Sequence, residues 1–262
     1  MKIAIIGAGN IGGAMARGLV ASNAVSPSDL SLTASRKSSL DKYRALGCNL
    51  TTDNVAAVRG ADLVVLALKS ERIVDVAAQL RDALDYESQV VVSMAAGVDD
   101  ETMLGILRKE DGGLPEFAVV IPNIAMEICE SMTFISPVRL SDKGLAFISG
   151  IFSLLGKVEV TSHDLLRAGT ALASCGIAFA LRYARAASEG GVILGFEADE
   201  ALEIVGQTMV GAMRLLKAHG SHPEAEIDKV TTPGGITIRG LAAMEKAGFS
   251  TAVIEGLKAT KS

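Results

Sequence analysis

The fold is decided by the first twelve residues, which read Met1-Lys2-Ile3-Ala4-Ile5-Ile6-Gly7-Ala8-Gly9-Asn10-Ile11-Gly12. A short apolar run leads into a G-x-G-x-x-G turn, and the residues after the turn have the apolar spacing of a helix. A glycine turn between a strand and a helix predicts a dinucleotide-binding site. The first glycine permits the tight turn, the second lets the backbone approach a pyrophosphate, and the third allows close packing of helix on strand. The alternative interpretation is a tight turn without a ligand.

Short apolar runs and amphipathic segments alternate from this turn to about residue 160. The runs predict strands at Leu30–Ala34, Leu63–Leu68, Gln89–Met94 and Ala118–Ile121, with weaker candidates at Met132–Ile135 and Val158–Val160. The segments between them predict helices at Ser38–Leu46, Ile73–Leu84, Glu101–Arg108 and Asp142–Leu155. Apolar strands that alternate with helices predict a parallel sheet covered on both faces. We therefore expect an α/β fold, with a Rossmann dinucleotide-binding domain at residues 1–160.

The sequence changes character after about Ser162. Long, alanine-rich helical segments cover His163–Glu189 and Ala198–Ala218, and no convincing strand follows them. Residues 161–262 are therefore predicted to form an all-α domain. Its helices carry more apolar surface than one copy can cover, which predicts a homodimer formed through these helices.

Composition argues against several partners. The net charge of −5 has the wrong sign for attraction to a phosphate backbone, and the chain contains no Trp on which a base could stack. With only 3 His and no paired cysteines, we expect no metal site. The sequence therefore predicts no nucleic-acid partner.

The distribution of cysteines and apolar residues bears on location. Cys48, Cys129 and Cys175 are far apart and odd in number, which favours a reducing compartment. Gly7 interrupts the first apolar run after four residues, so we expect no signal peptide. No uninterrupted apolar run of about 18 residues occurs, so we expect no membrane span. The chain is predicted to be cytoplasmic.

The residues after the second predicted strand indicate which cofactor binds. They read Ala34-Ser35-Arg36-Lys37-Ser38 and include no carboxylate, the group that would accept hydrogen bonds from the ribose of NAD. Arg36 can bind a 2′-phosphate in a bidentate manner. NADP(H) is therefore preferred, with NAD(H) as a possibility and a solvated basic turn as the alternative interpretation.

Several motifs resemble those of the pyrroline-5-carboxylate reductase family, over nearly the whole chain. The most specific is near the C-terminus, where Val230-Thr231-Thr232-Pro233-Gly234-Gly235-Ile236-Thr237 is similar to the family's Pro-Gly-Gly signature. The other similar stretches are Ile5–Ile11, Asp53-Asn54, Ala67-Leu68-Lys69-Ser70, Ser93–Val98 and Pro122-Asn123.

The glycine turn, the basic segment and this resemblance together predict the site residues. The predicted cofactor contacts are Ile6, Gly7, Ala8, Gly9, Asn10, Ile11, Gly12, Ser35, Arg36, Asn54, Ala67, Leu68, Lys69, Ser70, Ala95, Ala96 and Gly97. The predicted substrate contacts are Thr232, Gly234, Gly235, Ile236 and Thr237, at a helix start that suits a carboxylate. Thr237 matches the family's proton-donating threonine, so it is the predicted catalytic residue.

The resemblance implies an activity. The expected reaction is hydride transfer from NADPH to the cyclic imine of 1-pyrroline-5-carboxylate, which gives L-proline. It also implies an interleaved homodimer, and often a larger ring, with a substrate-binding role for the helical domain. The substrate is therefore expected to be a small molecule with a carboxylate and a cyclic imine.

Two segments depart from the family's pattern. The first reads Leu172-Ala173-Ser174-Cys175-Gly176-Ile177-Ala178-Phe179, and lacks two hydroxyl side chains and a proline of the family's sequence. The second reads Pro122-Asn123-Ile124-Ala125-Met126 and lacks a Thr-Pro pair. Because both segments border the substrate pocket in the family, two alternatives stay open. One is a related imine or ketimine reductase with a different cyclic imine substrate, and the other is an inactive NADP-binding regulatory protein.

Overall fold

A computed structural model describes residues 1–95 and 97–260. The chain divides between Ser174 and Cys175 into two compact units. The first unit extends beyond residue 160 because the helix His163–Gly169 packs on the sheet. Its Leu166 is buried in the core, and Gly169 lies against the ring of Phe134.

The first unit is built on an 8-stranded sheet with the order β3-β2-β1-β4-β5-β6-β7-β8. Strands β1 to β6 are parallel to one another. This arrangement confirms the Rossmann-like fold. The strands are β1 Ile3–Ile6, β2 Leu30–Thr33, β3 Asn49–Thr51, β4 Leu63–Leu66, β5 Val90–Ser93, β6 Glu116–Ile121, β7 Ser131–Arg139 and β8 Gly156–Val160.

The sequence predicts a parallel sheet, but one pair of strands in the structure is antiparallel. Strand β7 runs antiparallel to β6, with Ile121 opposite Phe134. The connection between them holds only a 3₁₀ turn, Ile124–Ile128, which is shorter than the dozen or so residues that a parallel crossover needs. Strand β8 then lies parallel to β7, joined to it by a helix.

The helices of the first unit cover both faces of the sheet. They are α1 Asn10–Ala21, α2 Asn54–Val58, α3 Ser70–Leu80, α4 Asp100–Leu107, α5 Asp142–Ser153 and α6 His163–Gly169. One face buries α1 and α5 through residues such as Met15 and Phe152. The other buries α3 and α4 through Ile73 and Leu107. The two-sided core confirms the prediction made from the all-apolar strands.

The segment after β2 differs from the prediction. An α-helix was expected at Ser38–Leu46, but the structure has two 3₁₀ helices, Lys37–Ser39 and Asp41–Leu46. Gly47, in the left-handed conformation with φ 72°, ends the segment, and β3 begins two residues later. The segment between β2 and β3 thus consists of short 3₁₀ turns in place of the predicted α-helix. Strand β3 and helix α2 were not predicted.

The second unit is helical, with no strand among residues 175–260. Its helices are α7 Gly176–Ile193, α8 Ala198–His219, α9 Pro223–Lys229, α10 Ile236–Lys246 and α11 Phe249–Ala259. The single helix expected at His163–Glu189 is instead α6 and α7, separated by a π-helical turn, Thr170–Cys175.

One helical stretch is unusually apolar on its exposed surface. Residues His163–Ile193 have a mean hydropathy of 1.3 in their most apolar window, of which 11% is buried. By length and composition this stretch could cross a membrane, although the π-helical turn interrupts it. An exposed apolar helix of this kind also suits an interface between proteins.

Gln89 fixes the start of β5 and provides a test of this fold. Its buried amide nitrogen donates to the carbonyls of Val58 and Ala61, each at 2.7 Å, and its amide oxygen accepts from the Asp85 N–H at 2.8 Å. Gln89→Leu would remove these three hydrogen bonds and put at this buried position a side chain that cannot replace them, so we expect a loss of about 2 kcal/mol or more in the free energy of unfolding. Urea titration monitored by circular dichroism measures it.

Gln79→Leu is the matched control, because the Gln79 side chain is exposed. We expect it to change the unfolding free energy by less than about 0.5 kcal/mol. Equal losses for the two variants would contradict the role given to Gln89.

Candidate active site

The predicted cofactor residues lie at the carboxyl edge of the sheet. The loops after β1, β4 and β5 meet there, where β1 lies between β2 and β4. The Ala67 N–H donates to the Ile6 carbonyl at 2.9 Å, and the Met94 N–H donates to the Leu66 carbonyl at 3.0 Å. Such a reversal of strand order is where open α/β sheets bind ligands.

The loops after β4 and β5 also touch each other. A Cβ atom at Gly97 would lie 2.5 Å from the Ser70 hydroxyl oxygen. Ala67, Leu68 and Ala95 line the same edge, and Lys69 is exposed at the start of α3. The predicted contact at Ala96 lies outside the described residues.

The glycine turn has the geometry expected from its sequence. Gly7 has φ 115°, and a Cβ atom there would lie 2.5 Å from the Ala67 carbonyl oxygen. A Cβ atom at Gly12 would overlap the Gly7 carbonyl oxygen, whereas one at Gly9 would meet nothing within 4 Å. Helix α1 begins at Asn10 without a side-chain cap, so its first N–H groups can receive an anion. The backbone at Gly9 is therefore open to a pyrophosphate.

A side chain that sequence reasoning missed, Thr33, connects the turn to Asn54. The Thr33 hydroxyl oxygen accepts from the Gly7 N–H at 3.3 Å, and the hydroxyl donates to the Asn54 amide oxygen at 2.7 Å. The Ala8 N–H donates to the Thr33 carbonyl at 2.6 Å. Thr33 is the last residue of β2 and is buried, so a hydroxyl side chain at the end of this strand was the available signal.

Ser35 and Arg36 are exposed just beyond the end of β2. Within residues 1–95 and 97–260, no carboxylate forms an ion pair with Arg36. The nearby Asp41 is paired with Arg44 at 2.8 Å instead. Arg36 therefore keeps its guanidinium available for a phosphate.

The two segments that depart from the family's pattern meet each other within the first unit. The Asn123 amide nitrogen donates to the Ala173 carbonyl at 3.3 Å, and the Ser174 hydroxyl donates to the Pro122 carbonyl at 3.0 Å. Asn123 follows β6, at the same edge of the sheet as the cofactor residues, and Ser174 lies in the π-helical turn. Sequence reasoning singled out both segments but not their contact.

The predicted substrate residues lie in the second unit, in the turn that precedes α10. The Gly235 N–H donates to the Thr232 carbonyl at 2.9 Å, and Gly234 has φ 68°. Gly235 caps α10 without a side chain, and Ile236 is 80% exposed. Thr237 is exposed in the first turn of α10. The turn therefore presents backbone N–H groups and hydroxyls together.

A partly buried carboxylate stabilises the chain just before this turn. Glu226 on α9 accepts hydrogen bonds from Ser221 and from Lys229 at 2.7 Å, and lies 3.0 Å from His219 Nδ1. Hydrogen bonds from Lys229, Ser221 and His219 lower the pKa of Glu226 to about 2. Thr231 follows the end of α9 and is tied to it, because its hydroxyl donates to the Ile227 carbonyl at 3.1 Å.

The fold and the glycine turn define a dinucleotide-binding α/β protein with an appended helical unit. Family models match both parts. Residues 2–97 match the model described as NADP oxidoreductase, coenzyme F420-dependent, and residues 163–262 match the model described as pyrroline-5-carboxylate reductase dimerisation.

Relatives of nearly the same length identify the family to which the chain belongs. The chain is 34% identical to pyrroline-5-carboxylate reductase 2 of Dictyostelium discoideum, over 98% of this chain and 89% of the relative. It is 32% identical to pyrroline-5-carboxylate reductase of Methanosarcina acetivorans, over 99% of this chain and 97% of the relative. The chain belongs to the pyrroline-5-carboxylate reductase family. It spans about half the length of reductase 1 of Dictyostelium discoideum, covering 48% of it at 38% identity.

Solved structures share the whole fold. A pyrroline-5-carboxylate reductase from Coxiella burnetii is 26% identical with a TM-score of 0.85, covering 99% of this chain and 96% of its own. Pyrroline carboxylate reductase of Plasmodium falciparum, solved with NADP bound, is 21% identical with a TM-score of 0.89, covering 100% of this chain and 95% of its own. These likenesses confirm the predicted combination of an α/β domain and an all-α domain.

The low pKa of Glu226 predicts how its contribution to stability depends on pH. A carboxylate whose pKa falls from 4.5 to about 2 on folding stabilises the fold above about pH 4.5, and this stabilisation is lost as the pH falls towards 2. Glu226→Gln should therefore lower Tm at pH 7, and the difference from wild type should shrink below pH 4.5. Circular dichroism melts between pH 7 and pH 3 measure it.

Glu255→Gln provides the control, since Glu255 pairs with Lys258 at the surface, at 2.7 Å. We expect little change in Tm at any pH for this variant. A Tm difference for Glu226→Gln that stays constant down to pH 3 would contradict the role given to the carboxylate.

Proposed function

We propose that this protein reduces 1-pyrroline-5-carboxylate to L-proline with NADPH as the hydride donor. The observation that carries the proposal is the similarity, over nearly the full chain, to relatives named for this reaction. The open glycine turn and the exposed turn before α10 supply the two sites that the reaction needs. The protein is accordingly an oxidoreductase that acts on a C=N bond.

The first unit holds the residues suited to NADP(H). The N–H groups at the start of α1 would bind the pyrophosphate, and the bare backbone at Gly9 admits it. Arg36, with Ser35 beside it, would bind the 2′-phosphate that distinguishes NADP(H) from NAD(H). The cofactor, when bound, supplies the hydride. NADP(H) is thus the preferred cofactor, and NAD(H) a weaker one.

The turn before α10 holds the residues suited to the substrate. Its N–H groups, with the hydroxyls of Thr232 and Thr237, would bind the substrate carboxylate. Gly234 and Gly235 keep the approach free of side chains. Thr237 would hold a proton at its hydroxyl oxygen next to the imine nitrogen. A protonated imine is already a strong electrophile, so no stronger acid is required of the chain.

The second unit suits association between copies. Large apolar side chains are exposed at Ile193 and Leu194, by 86% and 82%. An apolar groove of about 500 Å³ lies between α7, α8 and α11, with Tyr183 and Phe249 in its wall. We propose that the chain forms a homodimer through these helices, as the matched dimerisation model indicates. We also propose that dimers assemble into a larger ring and that the protein is cytoplasmic.

The contact between Asn123 and the π-helical turn favours a second candidate function. It places the two unusual segments side by side at the edge where the substrate pocket lies in the family. A related imine or ketimine reductase with a different cyclic imine is therefore the second candidate. An inactive NADP-binding regulatory protein is the third.

Steady-state oxidation of NADPH, followed at 340 nm, tests the proposed function. Turnover with 1-pyrroline-5-carboxylate supports it. Turnover with other cyclic imines alone would favour the second candidate, and NADPH binding without turnover on any imine would favour the third. The same assay with NADH measures the cofactor preference.

Arg36 should determine this cofactor preference. Arg36→Ala removes the proposed 2′-phosphate ligand, so we expect the Kd for NADPH to rise about tenfold or more while the Kd for NADH is unchanged. Fluorescence titration measures both constants. Arg44→Ala is the control, because Arg44 is already paired with Asp41 and should affect neither. Equal weakening of NADPH and NADH by Arg36→Ala would contradict the assignment.

Thr237 should act on the substrate and not on the cofactor. Thr237→Ala removes a hydroxyl proposed to meet a charged carboxylate and the imine, so we expect kcat/KM to fall about ten- to a hundredfold with NADPH affinity unchanged. Thr251→Ala, at an exposed position of α11, is the control and should behave as wild type. If neither kcat nor KM changes in Thr237→Ala, the proposed substrate turn is wrong.

A further inference from the structure

Tyr43 is the largest side chain buried beneath the glycine turn. It comes from the 3₁₀ helix Asp41–Leu46, after the segment that carries Arg36, and is only 1% exposed. Its phenol belongs to the core cluster that also holds Met15 of α1. A buried hydroxyl requires a hydrogen-bond partner, and the identity of that partner indicates what the side chain does.

The partner is the backbone of the glycine turn itself. The Tyr43 hydroxyl lies 3.3 Å from the carbonyl oxygens of both Ala8 and Gly9. Helix α1 has a glycine at position 13 directly opposite, where a Cβ atom would overlap the hydroxyl. The tyrosine therefore reaches the turn only because Gly13 leaves the space open.

Charged groups surround the ring. The Arg17 guanidinium lies 5.5 Å and the Lys42 ammonium 5.1 Å from the ring centroid. Arg17 donates to Glu127 at 2.8 Å, and this hydrogen bond lowers the pKa of the Glu127 carboxyl below its usual value. Glu127 belongs to the 3₁₀ turn that follows Asn123. Tyr43 is therefore held in place from α1 and from its own segment.

We propose that Tyr43 is a positioning residue for the pyrophosphate of the dinucleotide. The hydroxyl shares its one proton between the two carbonyls, so it holds the peptide plane of Ala8 and supports that of Gly9, whose carbonyl also accepts from the Gly13 N–H at 2.9 Å. The direction of the N–H groups that follow these carbonyls is thereby fixed. Preorganised donors bind an anion without the cost of ordering a loop. The inference rests on the proposed function, since it assumes that a dinucleotide binds at this turn.

The test compares two matched variants. Tyr43→Phe keeps the ring and its packing and removes only the hydroxyl. We expect the Kd to rise about three- to tenfold for both NADPH and NADH, because the pyrophosphate is common to both. The kcat at saturating NADPH should not change. Tyr86→Phe is the control, since it removes a hydroxyl that donates to the Leu107 carbonyl, away from the turn.

The outcomes separate positioning from mere stability. Similar Tm losses in the two variants, with weaker dinucleotide binding in Tyr43→Phe alone, support the proposal. Unchanged Kd values in Tyr43→Phe would overturn it. A higher Kd for NADPH alone, as expected for Arg36→Ala, would overturn it as well, because the hydroxyl would then affect binding of the 2′-phosphate and not of the pyrophosphate. If wild type binds neither dinucleotide, the proposed function is wrong and this inference falls with it.

Gly13→Ala approaches the same contact from the other side. The added methyl group would displace the Tyr43 hydroxyl from the turn, so the Kd values for NADPH and NADH should also rise by similar factors. Selective weakening of one dinucleotide, or unchanged binding in a folded Gly13→Ala variant, would contradict the proposal.

Discussion

The first unit depends on the close approach between the turn after β1 and the two elements beside it. Helix α1 can lie directly on the turn because Gly12 has no Cβ atom to meet the Gly7 carbonyl, and the turn lies against Ala67 because Gly7 has none either. Two parallel strands and a helix N-terminus are thereby brought to one edge of the sheet. An exposed backbone at Gly9, suited to an anion, follows from this packing and needs no dedicated side chain.

Local sequence carried enough information to predict this part of the structure. The order strand, glycine turn and helix is encoded within the first 22 residues, and the all-apolar strands require cover on both faces. The exposed position of Arg36 also follows from its place just after β2. In each case the property depends on neighbours in the chain, so the sequence pattern was sufficient to predict it.

Other features depend on groups that are distant in sequence. Tyr43 looked like one residue of an amphipathic helix, and only the fold brings its hydroxyl to the turn residues some 35 positions earlier. The direction of β7 was decided by a short connection, which outweighed the pattern of apolar strands alternating with helices. Glu226 looked like one of several charged residues in a helical stretch, and only the fold shows that its carboxylate accepts hydrogen bonds from Ser221 and Lys229.

The contact between the two unusual segments limits how they can change substrate choice. Asn123 uses its amide oxygen on the Ala125 N–H and donates through its amide nitrogen to Ala173, while the Ser174 hydroxyl is taken up by Pro122. These polar atoms are bonded to one another, and opening them to a ligand would cost those hydrogen bonds. The neighbouring side chains, Ile124 and Ala125, are apolar. A difference in substrate from the rest of the family would therefore come from the shape and size of these two segments, because the polar groups of Asn123 and Ser174 already make hydrogen bonds within the protein.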